Sequence, residues 1–135
     1  MADAKVIVRY WKPEDKSFIM STWLRGQYWG EDYWHDSNQE IFFKQYSAKI
    51  AALIPLYNTK IHCAVLEDDP SCILAYLVSS DDVIYWAYTK KDYRKTGLMK
   101  LLCGNKKFKY CNSITKMGRR VLNKYPEITF NPWAL

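Results

Sequence analysis

Some kinds of chemistry have too few residues here to build them. The chain has two histidines, His35 and His62, and its four cysteines, Cys63, Cys72, Cys103 and Cys111, form no C-x-x-C pair. Zinc and dithiol redox sites need closely spaced ligands of these types, so neither is expected. Four thiols without a pairing pattern suit a reducing compartment better than a disulfide framework. Long apolar runs are also missing, and a membrane-spanning helix needs about 20 consecutive apolar residues. The start, MADAKVIVRYWKPEDK, has no hydrophobic leader core, which leads us to expect a cytoplasmic protein with no membrane partner. Acidic residues nearly vanish from the last third: residues 90–135 hold 2 Asp+Glu against 12 Lys+Arg, whereas residues 1–89 hold 12 against 8.

What is present is enough apolar material for a core, 49% hydrophobic residues in 135, which suits one domain over residues 1–135. The net charge of +6 is the sum of −4 and +10 for the two parts. A field so segregated points to an anionic ligand, a nucleic acid or an acidic cofactor, or else to a solvated face that keeps the protein soluble.

Along the chain, KVIVRYW (5–11) reads as a strand, and PEDKSFIMSTWL reads as a helix opened by Pro13 and ended by Gly26. Residues 26–39 have no period and read as a loop with one short turn. Ser37 or Asn38 can cap the next helix, whose apolar stripe is Ile41, Phe42, Tyr46, Ile50, Leu53 and Ile54, closed by Pro55. Three strands follow, at 60–67, 72–79 and 83–89. Their connections are short enough to require antiparallel neighbours. A helix is expected from Thr96 onward, with Leu98, Leu101, Leu102 and Phe108 at near-helical spacing and Gly104 weakening its middle. SITKM reads as a strand, GRRVLNKY as a short helix, and EITFNPWAL as a last strand or tail whose Phe130 and Trp133 pack on the sheet. The sum is an α+β fold with a mixed, mostly antiparallel sheet flanked by helices.

The segment YTKKDYRKTGLMKLL puts five basic residues and a glycine between the strand at 83–89 and a helix. Unpaired amides at such a junction, with Gly97 allowing close approach and Arg94 and Lys95 adding charge, suit a pyrophosphate. The arrangement Arg94-x-x-Gly97-x-Met99, followed by Leu101-Leu102, resembles the signature Arg/Gln-x-x-Gly-x-Gly/Ala of the GNAT superfamily, the Gcn5-related N-acyltransferases. Met99 departs from it, standing where the family has Gly or Ala. FIMSTWL and FNPW are also similar to segments of small acyltransferase-like proteins of tailed phages, which would place the chain in a host cytoplasm.

The resemblance implies acetyl-CoA, or another acyl-CoA, as cofactor and an amine as acceptor. It implies that the backbone of Ala87, Tyr88 and Thr89 pairs with the pantetheine arm. Arg94 and the amides of Lys95, Thr96, Gly97, Leu98 and Met99 would hold the pyrophosphate, and the thioester would lie in a gap between the fourth and fifth strands. Candidate acids are Tyr85, Tyr110 and Tyr125; candidate bases are Glu67 and Asp69. An acyl-cysteine route through Cys103 or Cys111 is a further option. Tyr28, Trp29, Tyr33 and Trp34 border the expected acceptor site and could stack on bases, hold a cationic amine, or fold back as a lid. A nucleic acid is therefore a candidate acceptor or partner. A noncatalytic nucleic-acid-binding module and an inactive fold acting by protein contact are the competing readings, with the chain a monomer or a homodimer.

Overall fold

A computed structural model describes residues 5–135. The edge strand β1 (Val6–Tyr10) leads through a 3-10 turn at Pro13–Asp15 into α1 (Lys16–Trp29). A second 3-10 turn, Asp32–Asp36, precedes α2 (Gln39–Leu53). The strands β2 (Thr59–Leu66), β3 (Asp69–Ser80) and β4 (Val83–Thr89) form an antiparallel meander, and β1 pairs with β2 in the same sense. The short α3 (Leu98–Cys103), β5 (Tyr110–Cys111), α4 (Lys116–Leu122) and β6 (Thr129–Phe130) complete one six-stranded sheet in the order β1 to β6. β4–β5 and β5–β6 are parallel, so the mixed, mostly antiparallel α+β architecture is as expected.

Each face of the sheet is covered differently. Cys63, Val65, Tyr76, Val78, Tyr85 and Trp86 pack against Ile19, Trp23 and Tyr28 of α1 and Phe42, Tyr46, Ile50 and Leu53 of α2. On the other face Ala64, Ala75 and Leu77 meet Leu98 and Leu102 of α3 and Phe108. The Tyr76 hydroxyl fixes α1 to the sheet by donating to the Ile19 carbonyl (3.0 Å) and sharing a 2.7 Å hydrogen bond with Thr22 Oγ1. Full burial raises its pKa well above the usual tyrosine value. Arg9 ties the start of α1 to the edge: its guanidinium donates to both carboxylate oxygens of Asp15 (2.7 and 3.2 Å) and to the Pro70 carbonyl.

Several expectations are corrected. Gly26 does not end α1, which runs on to Trp29. A Cβ at position 26 would come within 2.7 Å of the Trp86 ring, so this glycine serves close helix–sheet packing rather than termination. The residues read as a loop from 26 are thus partly helix and partly a 3-10 turn. Asn38 does cap α2, its side chain accepting from the Ile41 amide at 3.1 Å, but Ile41 itself is 60% exposed instead of joining the core stripe. Gly104 stops α3 rather than weakening its middle, because it adopts φ 57° and the helix cannot pass it; Phe108 is buried from an extended segment beyond, and Leu101 is exposed. SITKM is no strand: the pairing residues are Tyr110–Cys111, and Thr115 caps α4 by accepting from the Gly118 amide. In the tail Trp133 is 87% exposed and Phe130 is exposed as well; Ala134 packs on the core in their place.

Candidate functional site

The site begins with a flaw in strand pairing. Val78 faces Trp86 while Ser79 faces Ile84, which leaves Tyr85 as an extra residue in β4. Such a bulge reverses the side-chain alternation, so consecutive Tyr85 and Trp86 both enter the same core cluster. At this point β4 also loses its outer neighbour. It pairs with β5 only at Val83–Tyr110 and Ile84–Cys111, closed by the Asn112 amide donating to the Ile84 carbonyl (3.1 Å). From Tyr85 to Thr89 the outer edge of β4 is unpaired among the described residues. Ala87 is exposed on it and Tyr88 and Thr89 are half-buried, so the strands part here and leave a gap on this side of β4.

At the end of the gap, β4 passes through a 3-10 turn at Lys91–Tyr93 into the loop before α3. Lys95 (φ 63°) and Gly97 (φ 84°) are both left-handed, on either side of Thr96. Left-handed residues flanking one of ordinary φ turn neighbouring amides toward a common side, a concavity whose chemistry suits an anion. Lys95 holds this conformation without glycine's freedom, a strain that clusters at ligand sites. None of the amides from Lys95 to Lys100 has a protein acceptor among the described residues. A Cβ built at Gly97 meets nothing within 4 Å, so the cradle is open. The Thr96 hydroxyl braces the loop by donating to the Tyr93 carbonyl, and Arg94 Nε reaches back to the Thr89 carbonyl (3.3 Å). Met99 does not crowd the concavity: its side chain packs with the cluster around Leu98 and Leu102, leaving only its amide toward the loop.

The other candidates scatter. Tyr85 lies where the strands part, fully buried, with its hydroxyl lacking any hydrogen-bond partner. Tyr110 sits at the closed end of the gap with its amide on the Asp82 carbonyl (3.1 Å), and Tyr125 is exposed in the turn after α4. Glu67 lies in the β2–β3 turn opposite Lys5 (3.7 Å), with β3 between it and the β4 edge; Asp69 is beside it, accepting from Ser71 Oγ. Burial raises the pKa of both Cys103 and Cys111, which keeps these thiols protonated and poorly nucleophilic. Cys63, buried in the sheet, is pushed up to about 11 by the same cause.

The connection between α1 and α2 is stapled to the segment after β5. The Gly30 carbonyl accepts from the Lys116 amide (2.9 Å), Asp32 pairs with the Lys116 ammonium, and Glu31 lies 4.0 Å from Arg119 Nε. Gln27 donates to the Ile114 carbonyl (3.4 Å) and accepts from the Tyr46 hydroxyl (3.1 Å). Trp34 folds back onto Phe42 and Tyr46, as the lid reading expects, whereas Trp29 and Tyr33 are 62% and 72% exposed. Asn112 was not singled out by the sequence. It is buried where the strands part, its Nδ2 donates to the Ala134 carbonyl (2.9 Å), and its Oδ1 has no partner. No group of three or more metal-ligating residues occurs among the described residues, and none of their helices is long and apolar enough to cross a membrane.

No family model matches the sequence, and no curated protein matches it. Solved structures do share the fold. YjaB from Escherichia coli, in its apo form, superposes with a TM-score of 0.59 at 15% identity over 90% of this chain and 80% of its own. A proposed acetyl transferase from Pyrococcus furiosus gives 0.59 at 12% identity over 94% and 80%. A predicted acetyltransferase from Clostridium acetobutylicum, solved with acetyl-CoA, gives 0.53 at 18% identity over 90% and 88%. The chain therefore shares the fold of these structures, a mixed and mostly antiparallel sheet flanked by helices.

Proposed function

We propose that the protein is an acyl-CoA-dependent N-acyltransferase that moves an acetyl or other acyl group to an amine. The observation that carries this reading is the union of a free β4 edge with an open, left-handed amide cradle at its end. An extended amide-bearing arm fits the first and a pyrophosphate fits the second, so the residues suit CoA. When bound, CoA supplies the activated thioester.

The chain's own groups then have definite tasks. Alternate amides and carbonyls of Tyr85 to Thr89 pair with the arm as a neighbouring strand would and hold it in line. The amides of Lys95 to Met99 take the phosphate oxygens, and the exposed ammonium groups of Lys90, Lys91 and Lys95 add charge. Arg94 keeps the end of β4 in place through the Thr89 carbonyl. Backbone N–H groups of β4 left unpaired beside the bulge at Tyr85 would stabilise the negative charge that develops on the carbonyl oxygen. Tyr85, with its unpaired hydroxyl at the parting of the strands, is the best placed of the candidates to return a proton to the leaving sulfur. The amine must arrive neutral, since its protonated form has no lone pair, and positioning supplies much of the rate.

The test is release of free thiol from acetyl-CoA in the presence of a panel of alkyl, aryl and nucleobase amines, with acylated products identified by mass. Amine-dependent release that rises with pH through the amine's own pKa is expected. Acetyl-CoA that binds but is never consumed with any amine would overturn catalysis and leave a binding protein.

A second reading has its own observation: all twelve Lys and Arg residues of 90–135 are solvent-exposed. They form a surface for phosphates beyond those of CoA, which favours a nucleic acid as acceptor or partner.

A further inference from the structure

A groove on the flank of α2 is left over by this account. Phe42 and Tyr46 form its floor, Ile41, Gln45 and Lys49 one rim, and Trp34 and Ser37 the other. It encloses about 340 Å³, within the range of small-molecule sites. Its apolar character has a local cause. Ile41, read as part of the core stripe, stands at the surface and lines the groove with Trp34.

The cation at its end is equally unspent. Lys49 Nζ lies 5.0 Å above the Tyr46 ring, and no carboxylate pairs with it among the described residues. The positions three and four away are Gln45, Tyr46, Ala52 and Leu53, so no acid on α2 can reach it as a helix neighbour. Its stem lies along the groove while its ammonium stays exposed, and partial burial lowers its pKa.

We propose that this groove binds a small apolar carboxylate, an alkyl or aryl chain ending in one carboxyl group. The charge sits on Lys49 and the apolar body lies over Phe42 and Tyr46 toward Ile41 and Trp34. Residues 41 and 49 are eight apart on a helix, about 12 Å, which a chain of about eight carbons spans. The carboxylate gives Lys49 the partner it lacks, and the chain covers the exposed Ile41. The groove lies apart from the proposed acyl-CoA seat, since no residue lining it belongs to β4, α3 or β5, and it shares only Trp34 with the expected acceptor border.

The experiment is a titration of the 15N-labelled full chain with octanoate, octylamine and 1-octanol, followed by amide and indole signals. Octanoate is expected to shift Trp34 and the α2 signals saturably, with octanol weaker by about tenfold or more and octylamine without effect. Lys49→Met should reduce octanoate affinity to that of octanol while leaving octanol binding as it was. Ile41→Glu, at an exposed position, should abolish both without altering the melting temperature. Equal binding of octanoate and octylamine, undiminished octanoate binding by Lys49→Met, or shifts confined to residues 85–100 would each overturn the proposal. So would α2 signals that move with protein concentration alone, because a second copy of the chain would then occupy the groove.

Discussion

Gly97 and Asp15 show how much one residue decides here. Gly97 adopts φ 84° over open space. Gly97→Glu would place a carboxylate where the phosphates are expected, so acetyl-CoA binding should fall at least about a hundredfold, equal to about 2.7 kcal/mol. Gly97→Ala carries the left-handed strain without the charge, so it should cost about 1 kcal/mol of stability and little affinity. Calorimetric titration of both variants checks this, and equal binding by Gly97→Glu would place the anion elsewhere. Asp15 is buried and accepts from Arg9 and from the Lys12 amide (2.7 Å). The Arg9 hydrogen bond holds its carboxyl below the usual aspartate value. Its contribution is thus complete above the unfolded-state pKa of about 4 and lost as pH falls through the lower native value. Asp15→Asn should destabilise the fold by about 3 kcal/mol at pH 7, and the difference from wild type should shrink below about pH 4. Thermal melts across pH test it, and a gap that stays constant down to pH 2 would contradict the ion-pair account.

At the scale of elements, the strands of the meander and the capped start of α2 were legible because β-branched alternation and a single Asn carry them locally. The end of α1 was not. A glycine near a helix end ordinarily signals termination, but what selects Gly26 is a Trp86 ring some 60 positions later in the chain. The two-residue strand β5 was missed for the same reason: two residues carry no period, and pairing with β4 and β6 defines it, whereas β6 falls inside EITFNPWAL, read as a last strand or tail. The amide cradle was readable as glycine plus charge. The left-handed Lys95, the inward Met99 and the buried Asn112 were not, since each follows from what surrounds it in the fold. Gly26→Ala puts the packing claim to the test. The new Cβ forces the Trp86 ring to shift, so the protein should lose about 1–3 kcal/mol despite alanine's better helix propensity. Equal or higher stability in chemical denaturation would show that the ring yields freely.

At the scale of the whole molecule, charge follows the fold. The acid-rich part builds the meander and the helices on one face, and the basic part, from Lys90 on, follows β4 and carries all its cations exposed. If nucleic acid is the acceptor or partner, binding of labelled duplex DNA should weaken with a log–log salt slope of about −2.7 to −4.5, for about three to five phosphates contacted. Replacing Lys106 and Lys107 by alanine should flatten that slope by about two. Absence of DNA binding at about 50 mM salt would return the cations to the simpler task of attracting an anionic cofactor. That cofactor is the centre of the account. Calorimetry with acetyl-CoA, read together with 15N spectra of the same samples, tests it most directly. The account predicts saturable binding at or below about 1 mM, with the largest shifts at Ala87 to Thr89 and Lys95 to Met99. A folded protein that shows no heat and no shifts at that concentration, or shifts only away from β4 and the α3 loop, would contradict it.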